Sequence, residues 1–192
     1  MKNTMKIRAI IFDFMGVLAF KKENYQPDAI VDGVDAIVGN LTNDFDFKKE
    51  AQEKFNLTDK EFEKILIKIV DKYEQNSDLW KLLPEIKDKF KLRALIMNNG
   101  TTLTLPYFNK KFNFGYFNEF ICSAEVGIKK PDPEIFKLCA RRLGVDVKEC
   151  LFMDDQLANV ESAKKLGMQT IWWSDRQKGM ADLLVFLNIE QK

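Results

Sequence analysis

The stretch Phe12–Leu18, FDFMGVL, closes the apolar run IRAIIF (residues 7–12) and sets Asp13 at the end of what reads as a buried strand. An acid in that place is a candidate nucleophile or metal ligand, although an Asp after a strand also serves as a turn former or helix cap. Two residues further on, where a second acid would make an acid–base pair, the chain has Met15.

Composition narrows the chemistry. The 192 residues carry 30 basic and 29 acidic side chains, and 46% are hydrophobic, the balance of a globular domain with a sizeable core and no bulk charge to attract nucleic acid. The chain has no histidine. That excludes Ser-His-Asp and Cys-His nucleophiles and His-ligated zinc, leaving carboxylates, Lys, Tyr, Cys and an oxygen-bound metal. Cys122, Cys139 and Cys150 lie in apolar contexts without C-x-x-C spacing, so they read as buried free thiols in a reducing compartment. The basic start MKNTMKIRAIIF has too short an apolar run for a signal peptide, and no stretch reaches membrane-spanning length. The expectation is a cytoplasmic protein with no membrane partner; nothing in the sequence fixes an oligomeric state.

Further short runs rich in β-branched and aromatic residues recur as LRALIM (92–97), FICSA (120–124), CLFM (150–153) and QTIWW (169–173). They read as buried strands. Helices alternate with the later ones: PDPEIFKLCARRLG has Asp132 as N-cap, Pro133 in the first turn and Gly144 past the end, and NVESAKKLG stops at Gly167. This pattern predicts an α/β fold, a Rossmann-like doubly wound parallel sheet with sites at the carboxyl ends of its strands. The interval 21–84 breaks the alternation. Ile30, Val31, Val34, Ile37, Val38 and Leu41 follow helical spacing, and Thr58 with Glu61 forms a capping box before Phe62, Ile65, Leu66 and Ile69. The expected organisation is a core from 1–20 and 85–192 with a small all-helical cap, 21–84, inserted after the first strand.

In such a sheet Asp13, Asn98, Asn99, Ser123, Asp154 and Asp155 line one rim. Adjacent carboxylates at Asp154 and Asp155 repel unless a cation compensates them, and a divalent ion held by oxygen is the economical answer; the alternative is one solvated Asp and one helix cap. Lys130 precedes a helix N-terminus, where the macrodipole disfavours a positive charge and a fixed anion would remove the conflict. Lys129 reads as solvated. Phe20, Tyr25 and Trp80 are candidates for a pocket lining or for core.

FDFMGVL, LIMNNG, GIKKPDPEIF and LFMDDQLANVESAKKLGM, in that order, resemble the four signature motifs of the haloacid dehalogenase (HAD) superfamily, subfamily I with a helical C1-type cap. The resemblance spans the whole core. It implies that Asp13 is a nucleophile forming an aspartyl-phosphate, and that Lys130 neutralises Asp13 and the transferring group. It further implies that Mg²⁺ binds Asp13, the backbone carbonyl of Met15, Asp155 and Asp154, and that Asn159 orients the acidic pair. Asn98 and Asn99, with Lys130, would bind substrate, a small phosphorylated molecule.

Two positions depart from the family pattern. Met15 stands where family phosphatases have the Asp that protonates the leaving group and then activates water, and Asn98 stands where they have Ser or Thr. The reading is therefore a Mg²⁺-dependent hydrolase with turnover impaired by Met15; Glu23 is the next candidate base. The alternative is a catalytically weak or inactive module that binds Mg²⁺ and a phosphorylated ligand or a protein partner. A 2-haloacid dehalogenase is opposed by the paired acids and by the lack of any Arg between Ala9 and Leu92.

Overall fold

The computed structural model describes residues 6–88 and 91–189. Five parallel strands form the central sheet: β1 (Ala9–Phe12), β4 (Arg93–Asn98), β5 (Glu119–Cys122), β6 (Cys150–Asp154) and β7 (Gln169–Trp172). Two short strands, β2 (Ala19–Lys21) and β3 (Tyr73–Gln75), make a separate antiparallel ribbon. The helices are α1 (Ala29–Asp35), α2 (Asp44–Phe55), α3 (Asp59–Asp71), α4 (Ser77–Asp88), α5 (Leu105–Lys111), α6 (Ser123–Val126), α7 (Pro133–Leu143), α8 (Leu157–Lys165) and α9 (Arg176–Leu187).

The strands are apolar on both faces because both are covered. Ile10 and Phe12 of β1 join Ile96, Leu151, Met153 and Ile171 in one cluster, roofed by Leu83 and Ile86 of α4 and Leu183 of α9. Ala9 and Ile11 turn the other way, to Leu95, Met97, Ile121, Phe152 and the Ile135, Phe136 and Ala140 stripe of α7. The spatial order β5-β4-β1-β6-β7 puts β1 in the middle. The chain winds outward on one side of β1 and then returns to wind outward on the other. The crevice beyond the carboxyl end of β1 is thus the switch point where such sheets bind ligands.

The helical signals read from sequence stand in the structure. Asp132 caps α7 and Gly144 ends it in the left-handed conformation, and Thr58 and Glu61 form the capping box of α3. In FICSA the strand stops at Cys122, and Ser123 starts α6. Within 21–84, helices α1–α3 bury Val31, Val34, Phe47, Phe62, Leu66 and Ile69 in a cluster of their own. Helix α4 instead gives Leu79, Trp80, Leu83 and Ile86 to the sheet's cluster, and Trp80 donates its indole N–H to Leu18 O at 2.8 Å. The β2/β3 ribbon is an addition to the helical reading, and α1–α3 spring from it.

The insert is latched onto the sheet's loops by charged and polar bonds. Asp44, the first residue of α2, accepts from Thr101 Oγ1 (2.5 Å), from Thr102 N (3.0 Å) and from the Thr102 hydroxyl. Lys129, read from sequence as solvated, donates instead to Asn40 O at 2.7 Å. Removing an acceptor whose donors stay partly open to water costs about 1–3 kcal/mol. Asp44→Ala is therefore expected to cost about 1–3 kcal/mol in urea unfolding and to speed amide exchange in α1–α3 more than in the sheet.

Candidate active site

Three strand ends build the site. Beyond β1 the chain enters a turn in which Asp13 and Met15 line a cavity while Phe14 between them is buried in the core. The Phe14 ring is fully buried and meets Phe108, Phe112, Phe114 and Phe120 edge-on at 5.0–6.1 Å, which pins the exit of the strand. Gly16 then turns with φ +94°, and a Cβ there would lie 2.5 Å from Asp155 Oδ2. Only glycine has both the conformation and the room.

Lys130 lies at the centre. Its ammonium, 4% exposed as a residue, is ion-paired with Asp13 and, at 2.8 Å, with Asp154, and donates its third bond to Met97 O at 3.0 Å. The fixed anion that removes its conflict with the α7 dipole is thus this pair of carboxylates. Asn99 holds the Lys130 backbone at both ends, accepting from Lys130 N (2.8 Å) and donating to Lys130 O (2.9 Å). Its amide is engaged with the lysine. Asp154 is fully buried; its Oδ1 accepts from Gln156 N at 2.8 Å and from Asn159 Nδ2 at 2.9 Å. Asp155 is exposed, and Trp172 donates to its carbonyl at 2.9 Å.

Carboxylate oxygens of Asp13, Asp154 and Asp155 lie within 4.8 Å of one another. Three acids thus share one ammonium. Burial above all, opposed by Lys130 but reinforced by Asp154 and Asp155, pushes Asp13 up to about 7. Burial and then Asp154 raise Asp155 as well. Lys130 is also pushed up: burial works against its charge, but Asp13 and Asp154 outweigh it. An all-oxygen donor set with surplus negative charge fits a small hard dication.

The cavity, about 210 Å³, is also lined by Asn98, Asn99 and Gln156 and, from the insert side, by Asp35, Val38, Ile69 and Tyr73. Asn98 is 9% exposed, and its side-chain amide makes no hydrogen bond among the described residues. Gly100 leaves the space this amide occupies, which a Cβ would invade. A polar group without a protein partner that opens onto a cavity is suited to bind a ligand. Ser123 lies outside the cavity: it exchanges bonds with Gly100 N (3.0 Å) and O (3.2 Å) and so shapes the loop. Phe20, Tyr25, Trp80 and Glu23 do not line the cavity.

Residues 7–167 match the model of the haloacid dehalogenase-like hydrolase family. The chain belongs to that family. A glyceraldehyde 3-phosphate phosphatase from Methanopyrus kandleri is 40% identical over 57 residues, 29% of this chain and 24% of that protein. The chain thus spans about a quarter of that relative's length. Among solved structures, a predicted HAD-like family hydrolase from Porphyromonas gingivalis superposes with TM-score 0.71 at 21% identity, covering 97% of this chain and 100% of that one. A HAD family enzyme from Bacteroides thetaiotaomicron, in complex with magnesium and inorganic phosphate, gives TM-score 0.67 at 20% identity, covering 86% and 93%. These two show the shared fold. Among the described residues no helix is long and apolar enough to cross a membrane.

Removing the ammonium from this HAD-like site strands two buried carboxylates, a loss of about 3–5 kcal/mol for a broken buried pair. Lys130→Met should therefore destabilise the metal-free protein, measured by urea unfolding. Asp13 is raised, so it is neutral below about pH 7 and charged above it. The cost should be smaller at pH 5.5 than at pH 8.

Proposed function

We propose that this chain is a Mg²⁺-dependent phosphohydrolase for small phosphorylated molecules, with α1–α3 as its cap. The observation that carries the reading is the convergence of Asp13, Lys130 and the Asn98 amide on one cavity, with carboxylate oxygens of Asp154 and Asp155 within 4.8 Å of that of Asp13. The phosphatase name of the curated relative and the magnesium and phosphate bound to a structural neighbour support it.

Asp13, Asp155 and the carbonyl of Met15 would hold the ion directly. Asp154 spends both oxygens on Lys130, Gln156 and Asn159, so it serves mainly to position Lys130 and to add negative charge. The ion would supply charge neutralisation between Asp13 and the phosphoryl oxygens. Asn98 orients the phosphoryl group, and the charge of Lys130 attracts it. A carboxylate oxygen of Asp13 attacks phosphorus, the bond to the leaving oxygen breaks, and water later cleaves the acyl phosphate to restore the carboxylate and release phosphate. Met15 can neither protonate the leaving oxygen nor take a proton from that water. Turnover is therefore slow, and this one side chain favours a second reading, a module that binds Mg²⁺ and a phosphorylated ligand or protein partner without turning it over.

Incubation with acetyl phosphate and Mg²⁺ is expected to give an adduct on Asp13 in intact-mass spectra, since a good leaving group needs no acid. Met15→Asp should raise turnover by up to about 10²–10⁴, and more for poor leaving groups than for good ones. Absence of both adduct and hydrolysis in both proteins would favour the binding module. Mg²⁺ at a hundredfold excess over its dissociation constant should stabilise the fold by about 2.7 kcal/mol, and Asp155→Asn should abolish that shift in a thermal melt.

A further inference from the structure

The cavity has two chemically different ends. At the sheet end stand Lys130 and the free amide of Asn98; at the cap end stand Asp35, from the last turn of α1, and Tyr73 of β3. Asp35 accepts from Lys72 Nζ at 2.7 Å and from the Tyr73 hydroxyl at 2.6 Å, and both bonds land on Oδ2. Its Oδ1 makes no hydrogen bond among the described residues. Lys72 is also shared with Asp32, at 2.7 Å, so two carboxylates divide one ammonium and the cap end has a surplus negative charge. Val38, Ile69 and Phe108 provide apolar wall.

We propose that Asp35 selects the leaving group, admitting small phosphomonoesters whose far end is a hydrogen-bond donor, hydroxyl or ammonium, and rejecting those that end in an anion. The phosphoryl end of this assignment rests on the phosphohydrolase reading. A donor reaching the cap end meets a carboxylate already fixed by Lys72 and Tyr73, whereas a carboxylate there meets like charge. The volume of about 210 Å³ lies below the range of about 300–1,000 Å³ typical of drug-sized ligands.

Three esters of nearly equal length test this: 2-aminoethyl phosphate, 2-hydroxyethyl phosphate and phosphoglycolate, which end in ammonium, hydroxyl and carboxylate. With Mg²⁺ present, affinity is read from the ligand-dependent shift of the melting midpoint, and kcat/KM wherever hydrolysis occurs. The wild type is expected to favour both donor-ended esters over phosphoglycolate by about tenfold or more, the ammonium ester at least equalling the hydroxyl ester. Asp35→Asn should shrink or reverse that ratio. Equal preference, preference for phosphoglycolate, no binding of any ester, or an unchanged ratio in a folded Asp35→Asn protein would each overturn the assignment. The acetyl phosphate adduct reports separately on the hydrolase reading: an adduct without end preference removes this inference alone, and end preference without an adduct removes hydrolysis alone.

Discussion

The ammonium of Lys130 sits almost wholly out of water, and its three donors are consumed by Asp13, Asp154 and the carbonyl of Met97. A buried cation needs compensation of this kind, because desolvation of the charge otherwise costs several kcal/mol. The converse constraint shapes the site. Asp13 and Asp154 alone already outnumber the ammonium, Asp155 adds a third carboxylate, and burial together with this surplus raises Asp13. The same arrangement that compensates the buried lysine gathers carboxylate oxygens that fit a divalent ion.

The sheet supplies this geometry through its order. With β1 between β4 and β6, the ends of three strands deliver Asp13, Asn98 and Asp154 to one crevice. The turn that follows β1 puts Phe14 into an aromatic cluster and Asp13 and Met15 into the cavity. Asn99 and Ser123 act through loops, one holding Lys130 and the other Gly100. Asp44 and Lys129 close the insert over the crevice, so that Asp35 and Tyr73 form its far end.

The strands, the capped helices and the candidate residues beyond β1, β4 and β6 were legible in the sequence because each leaves a local mark: a short apolar run, an N-cap, a terminating glycine, an acid or amide after a strand. Asp35 leaves none. At its position in α1 it reads as part of a solvated helix face, and its partners Lys72 and Tyr73 are 37 and 38 residues away. Asp44 likewise meets Thr101 across 57 residues. Asn99 reads as a ligand donor in sequence because it neighbours Asn98; only the tertiary path of Lys130 shows where its amide is used. Phe20, Tyr25 and Trp80 have the side chains of pocket walls, but aromatic rings at such spacing are equally suited to packing, and Trp80 is buried against the sheet's cluster.

The charge surplus can be read directly by counting protons. Titration calorimetry of Mg²⁺ binding, repeated in buffers of different ionisation enthalpy, gives the number of protons released per ion bound. With Asp13 raised to about 7, the expected result is about one proton released at pH 6 and close to none at pH 8. Saturable binding with no proton release at pH 6 would contradict the shared-charge site, as would an unchanged proton count in Asp13→Asn.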